Sequence, residues 1–230
     1  MRMRKKPNLP ARMEKCKNLL PEDPKGMKGK WQTLFPEAKE IWLELGAGKG
    51  RFTAEMAQKH PEVLYVAVER VPDAMVVAME KVEEMSLTNV FFIDGDAALL
   101  QEYFEKEEIS RLFVNFCDPW PGQKHARRRL IHANFLSIYR RVLRVGGEVE
   151  FKTDNKDLFE FSLFQFPKVG YELSDVTRNL HENGILGIMT DYEEKFHLQG
   201  LPIHRCVGKK LFLEEEPEIV PIYTTAPPEN

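Results

Sequence analysis

Acidic side chains recur at regular points along this sequence, each just past a short apolar run. Glu44 follows Ile41-Trp42-Leu43, Glu69 follows Leu64-Tyr65-Val66-Ala67-Val68, and Asp96 comes shortly after Val90-Phe91-Phe92-Ile93. Asp118 and Asp154 repeat the pattern after Leu112-Phe113-Val114-Asn115-Phe116 and Glu148-Val149-Glu150-Phe151-Lys152. Runs of this length read as buried strands, and in an open α/β sheet ligands bind beyond the carboxyl ends of the strands. One such acid commonly caps the helix that follows a strand. Five at one edge describe a crevice rich in carboxylate, which favours a cation or a ribose diol and disfavours phosphate.

The first acid opens Glu44-Leu45-Gly46-Ala47-Gly48-Lys49-Gly50, which runs into the helical pattern Arg51-Phe52-Thr53-Ala54-Glu55-Met56-Ala57. Gly46 and Gly48 allow a sharp turn and a close approach of backbone to ligand, at a helix start whose N–H groups face the same space. Lys49 is followed by Gly50 and not by Ser or Thr, so this is no Walker phosphate loop. Glu69 lies 23 positions after Gly46 (69 − 46) and suits both hydroxyls of a ribose. That spacing fits NAD equally well. Glu44, however, stands where a dinucleotide's pyrophosphate must lie, whereas S-adenosylmethionine has no phosphate and carries a cationic sulfonium and amine. With Asp96 placed for an adenine amino group, the edge reads as a site for S-adenosylmethionine.

The end of the fourth run carries a second constellation: Asp118-Pro119-Trp120-Pro121-Gly122-Gln123-Lys124-His125-Ala126-Arg127-Arg128-Arg129. Two prolines fix the backbone around an aromatic plane, and Lys124, His125, Arg127, Arg128 and Arg129 follow as a cluster able to grip phosphates. Trp120 either wedges the loop or stacks on a base. His125 and His132 read as RNA-facing or structural groups.

The elements that must position these groups alternate strand and helix. Helices are expected over residues 72–85, 97–106, 131–143 and 159–166, a turn at Gly146-Gly147, and later strands near 171–177 and 204–213. This is the order of an α/β fold with a doubly wound, mostly parallel seven-stranded sheet. At 230 residues and 43% hydrophobic, the chain is long enough for one full core. Residues 1–30 hold ten Lys or Arg against three acids, a balance of +7 that leaves −10 for the rest of a chain with net charge −3. The expected organisation is a basic arm over 1–30 that finds a polyanion, one domain over 31–213, and a loose acidic, proline-rich tail over 214–230.

Three cysteines, Cys16, Cys117 and Cys206, are odd in number and lack ligand spacing, so they read as reduced and no metal site is expected. No apolar run is long enough to span a membrane, and the basic start leads into no signal-type apolar stretch. A cytoplasmic protein is the expectation.

Residues 44–50, Asp118-Pro119-Trp120-Pro121 with its basic run, Thr153-Asp154-Asn155 and Thr190-Asp191-Tyr192-Glu193-Glu194-Lys195-Phe196 together resemble the bacterial tRNA (guanine-N7)-methyltransferase family. The resemblance spans about residues 34–211. It implies a Rossmann-like methyltransferase fold and methyl transfer from S-adenosylmethionine to guanine 46 in the variable loop of tRNA. It also implies cofactor contacts from Glu44, Gly46, Gly48, Glu69, Asp96 and Asp118, with Asp118 as the catalytic residue. Lys124, Asp154, Thr190, Asp191, Tyr192 and Glu193 are then implied in substrate binding. The family usually has a basic residue after the second proline, where this chain has Gly122; Lys124 is the first basic side chain. Guanine N7 offers an exposed lone pair, so alignment and charge stabilisation suffice and no strong base is required. A monomer and a homodimer fit equally. The rival readings are a methyltransferase for a small molecule or protein, an RNA-binding protein without catalysis, and an NAD oxidoreductase.

Overall fold

The structure, a computed structural model, describes residues 5–220. Its centre is a seven-stranded sheet in the order β3-β2-β1-β4-β5-β7-β6. The strands are β1 (Glu40–Leu45), β2 (Val63–Glu69), β3 (Val90–Asp94), β4 (Ile109–Asn115), β5 (Leu143–Thr153), β6 (Tyr171–Thr177) and β7 (His204–Lys210). The first five pair in parallel, while β7 runs antiparallel to both β5 and β6. Parallel strands covered on both faces read as continuous apolar runs, and every residue of β2 is buried.

The helices are α1 (Leu9–Lys15), α2 (Arg51–Lys59), α3 (Pro72–Glu84), α4 (Leu100–Tyr103), α5 (Ala133–Val142), α6 (Lys156–Lys168) and α7 (Asp191–Leu198). On one face α2 and α3 bury Phe52, Ala54, Met75 and Met79 against Trp42, Tyr65 and Phe113. On the other, Leu100, Phe135, Leu136, Phe159 and Phe166 from α4, α5 and α6 pack on Leu43, Leu112 and Phe151. Gly50 joins α2 to α3: its φ is +75°, and a Cβ there would stand 2.4 Å from the Ala78 Cβ. The β6–β7 connection is long, carries α7, and returns to the rung it left, since Thr177 and Arg205 are register partners.

Two of the expected elements are revised. The helix expected over 97–106 is a 3-10 turn (Ala97–Leu99) and a single α turn. The chain extends at Phe104, which stacks on buried Trp31 with centroids 5.2 Å apart, so tertiary packing overrides helix propensity. Gly146-Gly147 lies inside β5, in a register irregularity between Ile109↔Leu143 and Arg111↔Glu148, and bulges the strand without ending it.

The described part of the basic arm is folded onto the body. Arg12 binds Glu80 of α3 through two hydrogen bonds of 2.6 and 2.5 Å, Asn18 reaches Glu83, Lys25 pairs with Glu102, and Cys16 and Leu19 are buried. The acidic tail is tied down as well. Glu216 takes Arg140 at 2.6 Å, a guanidinium with no exposed surface, and the Val220 carbonyl accepts from Asn134. Residues 221–230 lie outside the described part.

Candidate active site at the carboxyl edge

Of the predicted acids, Glu44 and Glu69 flank the glycine turn between β1 and α2, and Asp96 follows the outer strand β3, each held differently. Gly46 and Gly48 have φ of +79° and +57°, and a Cβ on either would meet nothing within 4 Å, so the turn opens onto free space. The Gly48 N–H donates to Glu69 Oε2 at 2.9 Å, while Glu69 Oε1 accepts from the Arg70 and Val71 amides at 2.8 and 2.9 Å. Asp96 accepts from the Ala98 amide at 2.9 Å and lies 3.3 Å from Arg70.

Glu44 is placed beneath the turn instead of on its open side. It is 1% exposed, and its carboxylate accepts from the Thr53 hydroxyl of α2 at 2.6 Å. Burial pushes its carboxyl up to about 7, against the opposing pull of Thr53, Asn115 and the Lys152 charge, and the nearby Glu69 adds to the rise. The Asn115 carboxamide at the end of β4 is 7% exposed, and neither of its polar atoms meets hydrogen-bond geometry with any neighbour. Asn115 nonetheless faces Glu44 closely enough to hold its carboxylate down, so the fit to a polar ligand rests on the free space over Gly46 and Gly48 beside the Glu69 carboxylate.

Beyond Asn115 the chain enters a strained loop. Phe116 and Trp120 take φ of +52° and +41°, values that side-chain-bearing residues rarely adopt and that cost on the order of 1–3 kcal/mol each. Between them Asp118 stands exposed at the edge. Burial pushes the adjacent Cys117 thiol up to about 12, so it is no nucleophile.

The basic run divides in two. Arg128 lies over the Trp120 ring at 5.1 Å, and Arg129 donates to the Trp120 carbonyl at 3.1 Å while covering Phe161 at 4.4 Å. Both arginines therefore brace the loop, and Trp120 is half-buried as a wedge. Lys124 and Arg127 are exposed, and His125 is half-buried with its ring 6.2 Å from Trp120. His132 caps α5, its Nδ1 accepting from the Asn134 amide at 3.1 Å, and burial lowers its pKa.

The remaining residues come from β5 and the β6–β7 insertion. Thr153 and Asn155 accept backbone N–H groups at the β5–α6 junction, with Asp154 half-buried between them. Thr190 and Glu193 form a reciprocal capping box at the start of α7. Glu193 has no exposed surface: it takes the Lys152 ammonium at 2.7 Å, the His181 Nε2 at 3.0 Å and the Thr190 amide at 3.3 Å. Asp191 and Tyr192 are exposed, the latter at 48%. Phe196 meets Phe116 with centroids 6.0 Å apart, and Tyr192 stacks on Phe196 at 6.4 Å, so α7 is seated against the loop that carries Asp118.

Four contributors escaped sequence reading: Thr53, Asn115, Lys152 and the Arg51–Glu194 ion pair of 2.6 Å that ties α2 to α7. The available signal was Lys152, a cation in a strand otherwise expected to be buried. Among the described residues no group of His, Cys, Asp or Glu is arranged to hold a metal, and no helix is long and apolar enough to cross a membrane.

A family model described as "Putative methyltransferase" matches residues 38–206. The tRNA (guanine-N(7)-)-methyltransferase of Listeria welshimeri is 41% identical over 210 residues, covering 91% of this chain and 98% of its own length. The same-named protein of Halalkalibacterium halodurans is 42% identical over 207 residues, covering 90% and 94%. Among solved structures, the 16S rRNA methyltransferase KamB superposes with a TM-score of 0.62 at 15% identity, over 80% of this chain and 94% of that one, and speaks for the fold alone.

Proposed function

Because the chain belongs to the tRNA (guanine-N(7)-)-methyltransferase family, we propose that it transfers a methyl group from S-adenosylmethionine to N7 of a guanine in tRNA, the guanine at position 46 of the variable loop. The observation that carries this reading is the Phe116–Phe196 contact. It seats α7 beside the Asp118 loop, so that substrate-side groups and the glycine turn share one edge.

Gly46 and Gly48 supply the close backbone approach, Glu69 the carboxylate for a ribose diol, and Asp96 the acceptor toward adenine. Asn115 lies beside Glu44 and helps hold its carboxylate ionised. Glu44 contributes negative charge from below the turn, where a sulfonium or ammonium relieves its repulsion with Glu69. Bound there, S-adenosylmethionine supplies an electrophilic methyl group. Asp118, exposed on a loop braced by Arg128 and Arg129, stabilises the positive charge that spreads over the purine as N7 attacks. No base is needed, because N7 loses no proton.

Of the two aromatic candidates for stacking, Tyr192 and Trp120, the more exposed Tyr192 is the platform on which a splayed guanine stacks. Asp154 and Asp191 accept from its N1–H and amino group. Thr190 and Glu193 act indirectly, by fixing the start of α7. Lys124, His125 and Arg127 meet tRNA phosphates, with Lys124 standing in for the basic residue absent at Gly122. The protein works in the cytoplasm as a monomer or a homodimer.

Incubation with unmodified tRNA and methyl-labelled S-adenosylmethionine, followed by nucleoside mass spectrometry, is expected to yield 7-methylguanosine. Its absence overturns the reading. Asp118→Ala is expected to lower kcat by about 10²–10³-fold while leaving cofactor affinity nearly unchanged; turnover near that of the unaltered protein removes Asp118 from the mechanism.

A further inference from the structure

Lys152 sits where the two halves of the site meet. It is the penultimate residue of β5, pairs in register with Asn115, and its side chain is 3% exposed. The aliphatic stem and ammonium lie against Phe52 of α2, with Nζ 4.9 Å from the ring centroid. The ammonium donates to Glu193 at 2.7 Å and to the Ile188 carbonyl at 3.0 Å, both in the β6–β7 insertion. Glu193 is the third helical residue of α7, and its other carboxylate oxygen is held by His181 from the same insertion.

We propose that Lys152 is a positioning residue for methyl transfer: through Glu193 it sets where α7 sits on the sheet, and so where Asp191 and Tyr192 stand relative to Asp118. The reasoning is geometric. A helix of eight residues has little stability alone. This one meets the rest of the protein through Lys152–Glu193, the half-exposed Arg51–Glu194 pair and the Phe116–Phe196 contact. His181 also holds Glu193, but from within the same insertion; of the three contacts that reach the sheet, α2 and the Asp118 loop, the first is fully buried, where an ion pair is least screened and geometry is most restricted. A displacement of about 1 Å in substrate-orienting groups is enough to slow a reaction by about 10²-fold. This inference rests on the tRNA-methylation reading.

The test uses full-length protein carrying Lys152→Met, Lys152→Arg, Glu193→Gln or the Lys152→Met/Glu193→Gln pair. Lys152→Met is expected to lower kcat for tRNA by about 10²-fold and, because the Lys152 charge also holds the Glu44 carboxyl down, to weaken the Kd for S-adenosylmethionine, measured by calorimetry, by less than about tenfold. Lys152→Arg, which retains the charge, recovers part of the rate. The double variant loses no more than the worse single variant, because both act through one contact. Should Lys152→Met fail to fold, the double variant, with neither charge buried alone, carries the same measurements. Hydrogen exchange of the amides of residues 191–198, read without tRNA, is expected to speed up in Lys152→Met while α2 and α3 stay protected.

The proposal is overturned by a kcat within threefold of the unaltered protein, by losses that multiply in the double variant, by a loss of cofactor affinity that matches the loss of rate, or by unchanged exchange in α7. If the unaltered protein forms no 7-methylguanosine, the functional reading fails, and the exchange experiment still judges what Lys152 holds.

Discussion

Glu44 and Glu193 are both buried glutamates that feel the charge of Lys152, yet they have opposite company. Glu193 is matched by an ammonium at 2.7 Å and a histidine at 3.0 Å. Glu44 has a hydroxyl at 2.6 Å and an acid for a neighbour, and its carboxyl rises to about 7. The substrate half of the edge has therefore closed its electrostatics internally, and the cofactor half has left its own open. A buried carboxylate with a raised pKa next to an open glycine turn is a place for a cation, which S-adenosylmethionine brings without the pyrophosphate that a dinucleotide carries.

The same substitution at both positions should act with opposite sign. Glu193→Gln strands the Lys152 charge and is expected to destabilise the protein by about 3–5 kcal/mol, measured by urea unfolding. A loss below about 1 kcal/mol would show that the pair is not the closed device described. Glu44→Gln removes a desolvated charge and is expected to stabilise at pH 8 by about 3 kcal/mol, since each pKa unit is about 1.36 kcal/mol. For a carboxyl whose folded pKa lies above its unfolded value of 4.5, the folded state binds the extra proton between 4.5 and about 7. Stability from this group is thus lost as pH rises through that window, and the gain from Glu44→Gln should vanish below pH 4.5. A pH-independent gain would refute the assignment.

Ligand binding sharpens the contrast further. If the cofactor's cation requires ionised Glu44, affinity for S-adenosylmethionine rises about tenfold between pH 6 and pH 8, and Glu44→Gln flattens the profile. Calorimetry across that range decides it. The smallest effect belongs to the half-exposed link between the halves: Arg51→Gln, which releases Glu194, should cost roughly 0.5 kcal/mol in thermal unfolding.

The cofactor half was the more legible in sequence because its determinants are local. An apolar run, three glycines at alternate positions and an acid at the next strand's end lie within about 30 residues and fold largely through backbone geometry. The substrate half rests on partners far apart in the chain: Lys152 and Glu193 are separated by 41 positions, and Arg51 and Glu194 by 143. Periodicity carries no trace of such pairs. For the same reason the tail reads as a loose segment, although Arg140 and Glu216 hold part of its described stretch, and the Arg12–Glu80 contact of the basic arm is equally invisible in sequence. The contacts of Arg128 with the Trp120 ring and of Arg129 with the Trp120 carbonyl have no signature in the sequence, where the charge of the run is visible and its loop partners are not.

The β6–β7 connection has one more implication. It leaves the sheet at Thr177 and comes back directly opposite, at Arg205 on the adjacent strand, so the strand pairing closes at the foot of the insertion. The insertion proposed to recognise the substrate is in effect a cassette clipped into a finished sheet, with Lys152–Glu193 and Arg51–Glu194 among the side-chain links that join it. A lineage could lengthen, shorten or replace that cassette while the glycine turn and its acids stayed untouched, changing the nucleic acid that is read without rebuilding the site that donates the methyl group.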